Sequence, residues 1–173
     1  MTEALYNVRP QPGPSVLVAV MAVALALDQA SKWLIVMVVM QPPRVIPVFP
    51  GANLTLGFNE GASFGFLGGL MAGRPLLMSA LTGALVLVLA ITAVRASHSM
   101  ERIGLALIVG SALGNIVDRL RQGAVTDFID LYWRDWHWPT FNVADIGIAL
   151  GVLCALSSAL PSRRRKETAL DRS

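Results

Sequence analysis

The stretch GNIVDRLRQGAVTDF, residues 114–128, decides how this chain reads. An apolar run ends in it, and Asn115, Asp118 and Arg119 then fall at i, i+3 and i+4. One helical face therefore presents an amide, a carboxylate and a guanidinium. Directly afterwards VTDFID, residues 125–130, is β-branched and aromatic and reads as a strand carrying Asp127 and Asp130. A helix that ends in charge and returns as a short acidic strand is unusual in so apolar a chain.

The surroundings explain the setting. Of 173 residues, 54% are hydrophobic and only 14% charged, with a mean hydropathy of +0.60, so bilayer is the expected solvent. Four apolar segments, 16–40, 76–94, 103–120 and 143–160, predict an all-α integral membrane fold of four spans in a single domain, 1–173. The N-terminal run is polar and proline-rich, lacks a clear small-residue cleavage site, and reads as an uncleaved lead into the first span. Arg95 and Arg102 flank the second connector, and the tail carries Arg163, Arg164, Arg165 and Lys166. By the positive-inside rule both termini are cytoplasmic and the connectors 41–75 and 121–141 extracytoplasmic. The tail, 162–173, is expected to be disordered.

Both extracytoplasmic connectors mix β-formers with Gly and Pro, which suggests short strands or an extended platform at the membrane surface. Trp133, Trp136 and Trp138 read as an interfacial belt. The basic residues form no aromatic-interleaved patch, so nucleic acid is not an expected partner. Cys154, the single cysteine, lies in an apolar run, which precludes an intramolecular disulfide and suggests packing or lipid contact.

An ionisable group inside a span costs about 2.5–3.5 kcal/mol on insertion scales, so each is a functional candidate. Asp28 and Lys32, four apart on the first span, can neutralise one another. Asp118 and Arg119 could form a structural ion pair at the helix end, leaving Asn115 to other partners. In FNVAD, residues 141–145, Asn142 is a plausible N-cap and Asp145 falls in the first turn, where the helix dipole favours a carboxylate.

Asp145 and Asp127, with Asp130 as rival, could form a pair within about 3 Å that shares one proton and runs acid-base hydrolysis without a cofactor. A metal-dependent variant would use Asp127, Asp130 and Asp145 as oxygen ligands. A second class, an ion- or proton-coupled transporter subunit, would use Asp28, Lys32 and Asp118 as a relay. A structural membrane subunit would tolerate substitution at Asp127 and Asp145. His98 and His137 fall on different predicted faces of the membrane, and Ser63 in GASFG has no GxSxG frame. The glycines of residues 57–69, Gly61 among them, read as backbone that lets a peptide approach closely.

Five ordered motifs then coincide. DQASK (28–32), FNEGASFGF (58–66), GNIVDR (114–119), VTDFID (125–130) and FNVAD (141–145) resemble the signature of the bacterial lipoprotein signal peptidases, the type II signal peptidases of aspartyl peptidase family A8. The resemblance implies four transmembrane helices with a small extracytoplasmic β-cradle and a periplasmic loop or helix, in the inner membrane, with the active site near the outer face. It implies an aspartic endopeptidase that cuts a prolipoprotein just before its diacylglyceryl-modified cysteine.

By motif position, Asp127 and Asp145 would be catalytic. Asn59, Gly61, Asn115, Arg119 and Asn142 would line the site, with Asp28, Lys32 and Asp118 in support. No metal or other cofactor is implied; membrane lipid and lipidated prolipoprotein are the expected partners, and a monomer suffices. Ile146 departs from the family, which often has a small hydroxyl residue there, so a hydrogen bond to Asp145 from that position is lost.

Overall fold

The computed structural model describes residues 11–61 and 73–158. Helix α1 (Pro14–Leu34) opens on proline at its first turn, where no intrahelical donor is needed, and continues as a π-helical stretch, Ile35–Val39. The wider turn is closed by the Met40 amide, which donates to the Ile35 carbonyl at 2.9 Å. Strands β1 (Ile46–Phe49) and β2 (Ala52–Asn59) follow, then α2 (Pro75–Arg95) and α3 (Ser99–Gln122). Gly123 ends α3 with φ +82°, a left-handed cap that glycine adopts without a Cβ penalty, and its amide returns to the Arg119 carbonyl. Strands β3 (Val125–Trp133) and β4 (Trp136–His137) lead to α4 (Val143–Ser157).

The helix expected over 103–120 starts earlier, at Ser99. Its first turn carries Ser99, Glu101 and Arg102, which a search for apolar residues leaves out although the backbone is already helical. Three helical stretches, Pro14–Val39, Pro75–Arg95 and Ser99–Gln122, are long and apolar enough to cross a membrane, and α4 is a shorter apolar helix. The fold thus combines apolar helices with a small antiparallel sheet, built from the connectors whose β-formers suggested strands. The N-terminal lead (1–10), Ser63, the remainder of the glycine-rich run from 62, residues 159–160 of the expected fourth segment and the basic tail lie outside the described residues. So does part of the connector 41–75.

Helix α3 is the hub, packed against α1, α2 and α4. Small residues permit the approach: a Cβ on Gly104 would lie 2.5 Å from the Gly151 carbonyl oxygen of α4, beside Cys154. Leu17, Ala93, Leu105 and Ala106 form one core cluster; Val86, Val109 and Ala112 form another. The sheet runs in the order β1-β2-β3-β4, all antiparallel. Phe128 of β3 packs with Ile35 and Met40, so the π-helical stretch anchors the sheet on α1. After β4 the chain runs back beside β3 as an extended strap, with the Phe141 amide donating to Ile129 and its carbonyl accepting from Phe128 and Ile129.

Candidate active site

Strand alternation separates the two acidic residues of VTDFID, and their side-chain partners show which one faces α4. Residues 127 and 130 differ by an odd number, so their side chains leave β3 on opposite faces. The Asp127 Oδ1 accepts from the Asn142 side-chain amide at 2.7 Å and its Oδ2 from that of Asn59 at 3.1 Å. Asp130 instead accepts from Asn53 at 2.9 Å and pairs with His137 at 2.7 Å. It contributes no third oxygen ligand beside Asp127 and Asp145, so the carboxylate cluster that the metal-dependent variant requires does not assemble.

Asp145 is placed by a capping box. The Asn142 side-chain oxygen accepts from the Asp145 amide at 3.1 Å, while the Asp145 Oδ2 accepts from the Asn142 amide at 3.0 Å. Its Oδ1 accepts from the Asn115 amide at 3.3 Å. Asn142 therefore holds both aspartates at once, one through its side chain and one through its backbone. Asn142 links the two carboxyls, donating to Asp127 from its side chain and to Asp145 from its backbone. Ile146 contributes no hydroxyl, and Asp145 is held from Asn142 and Asn115 instead.

Burial pushes the Asp127 carboxyl above the usual carboxylate value of 3.8; the amides of Asn59 and Asn142 pull it down, and the nearby Asp145 charge raises it again. Both aspartates line a pocket of about 190 Å³ with Asn59, Arg119, Val125, Trp138, Pro139, Thr140 and Phe141. Arg119 is 8% exposed, donates from Nη1 only to the Asn115 carbonyl at 3.5 Å, and its buried Nε has no partner among the described residues. Its fork thus retains donors on the pocket side, suited to carbonyl or carboxylate oxygens. The Asn59 side-chain oxygen accepts from the Gly61 amide at 2.9 Å, which turns the chain at the pocket edge.

Behind the pocket lies a closed ion-pair network. Lys32 donates to Asp28 at 2.8 Å, to Asn115 at 2.9 Å, and lies 3.0 Å from Asp118. The pairing of Asp118 with Arg119 considered from sequence gives way to this one, because adjacent helical residues do not face each other. Asp28 also accepts from the Ala144 amide at 3.1 Å, at the start of α4, and Asp118 from the Thr126 amide at 3.0 Å, at the start of β3. Each carboxylate ties α1 or α3 to the element that carries a pocket aspartate. Gln29 adds a bond to Asp118 at 3.0 Å.

Gln29, Thr126, Trp138 and Thr140 were not singled out as site residues from sequence. Only Gln29 left a signal, an amide beside Asp28 within an apolar run. A second cavity, of about 170 Å³ between Lys32, Trp33, Asp118 and Arg121, has Asp118 as its one carboxylate, already bound.

This geometry can be set beside known proteins. The family model described as signal peptidase (SPase) II matches residues 20–160. A lipoprotein signal peptidase of Anaplasma phagocytophilum is 41% identical over 146 residues, 84% of this chain and 92% of the relative. That of Geobacter metallireducens is 38% identical over 161 residues, 91% of this chain and 98% of the relative. A solved bacterial membrane enzyme at 24% identity superposes with a TM-score of 0.73 over 88% of this chain and 97% of its own, a likeness of fold. With the family match running from within the first apolar helix through both aspartates and the helix whose first turn holds Asp145, the chain belongs to the signal peptidase II family.

Proposed function

We propose that this chain is an aspartic endopeptidase that removes signal peptides from prolipoproteins, with Asp127 and Asp145 as its reacting pair. The observation that carries the residue assignment is Asn142, hydrogen-bonded to both carboxyls at the wall of one pocket. Like charges held close retain one proton between them, and the pair titrates as a unit.

Water between the carboxyls gives a proton to the ionised one as its oxygen attacks the scissile carbonyl, whose oxygen takes the shared proton. The tetrahedral diol then collapses: the protonated carboxyl gives its proton to the leaving nitrogen as the C–N bond breaks, and the ionised one takes a proton from a diol hydroxyl, which leaves an amine, a carboxylic acid and one proton on the pair. Arg119 and Asn59 line the pocket with Asp127 and hold the peptide backbone there, and orienting the bond supplies much of the rate. No step calls for a metal.

The arrangement fits four spans, with α4 continuing the bundle as the fourth. Both termini and the connector at Arg95 and Arg102 then face the cytoplasm, and the sheet forms an extracytoplasmic cradle. The diacylglyceryl anchor lies between helices in the bilayer and brings the bond before the modified cysteine to the pocket. One chain supplies both aspartates, so a monomer suffices.

The test is incubation of purified protein, in detergent with excess chelator, with a diacylglyceryl-modified prolipoprotein, the products read by mass. A single cut before the lipidated cysteine is expected. Asp127→Asn and Asp145→Asn should each slow it about 100- to 10,000-fold. Chelator-sensitive cleavage, or near-normal rates in either variant, would refute the assignment.

A further inference from the structure

The face of β3 turned away from Asp127 carries a second polar cluster that the reaction does not use. Asp130 is 6% exposed; one carboxylate oxygen accepts from Asn53 of β2 and the other meets His137 Nδ1 of β4 at 2.7 Å. Because Asp130 is acceptor-only when ionised, Nδ1 carries the proton of that bond. Register explains the encounter. Asn53 is directly opposite Asp130 and His137 directly opposite Tyr132, so His137 is diagonal to Asp130 on one face. The imidazole also stacks on Tyr132, ring centroids 5.4 Å apart. Three strands are thus buckled at one carboxylate.

The buckle matters because β4 is only two residues long, a ladder too short to hold itself. The strap from Trp138 runs through Pro139, Thr140 and Phe141, all pocket residues, to Asn142. Its far end is fixed by the Phe141 backbone bonds and the capping box; near His137 it has one backbone bond, from the Trp138 amide to the Leu131 carbonyl at 2.8 Å.

We propose that His137, clamped by Asp130, is a positioning residue that holds the Trp138–Pro139–Thr140 wall against which the substrate peptide binds. The proposal rests on the peptidase reading of the pocket. Since the Asn142 end is held independently, losing the clamp loosens the wall without disarming the carboxyls. The signature is a raised KM at nearly constant kcat.

The experiment compares wild type, His137→Ala and His137→Asn, whose side-chain amide can take the place of Nδ1–H. His137→Ala should raise KM about three- to tenfold, the scale of one lost hydrogen bond of ordinary net strength, with kcat within about twofold. His137→Asn should recover most of that loss. Hydrogen exchange at the Trp138 amide should quicken in His137→Ala and not at Val109 in the core of α3. An unchanged KM, failure of Asn to rescue, or a fall in kcat with exchange quickened throughout the chain would overturn the proposal. If wild type cleaves nothing, the peptidase reading fails, while the exchange arm still tests the clamp.

Discussion

Two polar clusters share Asn115 as a common wall and are built in opposite ways. On the α1 side, Lys32 commits its donors to Asp28, Asn115 and Asp118, and both carboxylates bind a further backbone amide. On the pocket side, two carboxyls face each other across Asn142 while the Arg119 Nε lacks a partner among the described residues. Buried polar groups that are fully paired specify one arrangement of helices; groups left short of partners are arranged for something that arrives. The difference separates scaffold from chemistry among residues that all look alike as charges in an apolar chain.

The strongest way to break the comparison is Lys32→Met. It strands Asp28 and Asp118 in the interior and should destabilise the fold by about 3–5 kcal/mol, seen as a large fall in the thermal midpoint in detergent. A Gly114→Ala substitution attacks the same network sterically, since its Cβ would fall on the Asp28 carboxylate. It should cost about 1–3 kcal/mol by the same measurement. Arg119→Lys tests the other side: it keeps the charge but loses the fork, and should lower kcat/KM about tenfold at an unchanged midpoint.

The smallest effect concerns pH. Burial holds the Asp127 carboxyl above 3.8, so its ionisation disfavours the folded state once pH passes the raised value. Below 3.8 the side chain is protonated in both states and the penalty vanishes. Asp127→Asn should therefore be slightly more stable than wild type above that window, with the gap closing as pH falls through it. Asp130 behaves oppositely. Burial raises it, but Asn53 and His137 outweigh burial and lower it, so its stabilisation is present above 3.8 and lost as pH falls below.

Much of the site was legible because its bonds are local. The spacing of FNVAD already places Asn142 as a cap and Asp145 in the first turn, and the capping box needs no tertiary information. Alternation in VTDFID separates Asp127 from Asp130, yet which faced α4 depended on pairing with β2 and the strap. Lys32 meeting Asp118 joins residues 86 apart, and no local pattern foretells it. Nor does any announce the π-helical stretch that docks Phe128, or the Trp138 and Thr140 wall, whose residues looked like belt and linker.

The most direct measurement is the cleavage rate and thermal midpoint of Asp145→Asn, measured beside wild type on one lipidated prolipoprotein. The account predicts a fall in rate of at least about 100-fold with the midpoint within a few degrees of wild type. A variant that cuts at near wild-type rate, or one that fails only because it no longer folds, would contradict the claim that this aspartate serves chemistry while the Lys32 network serves the fold.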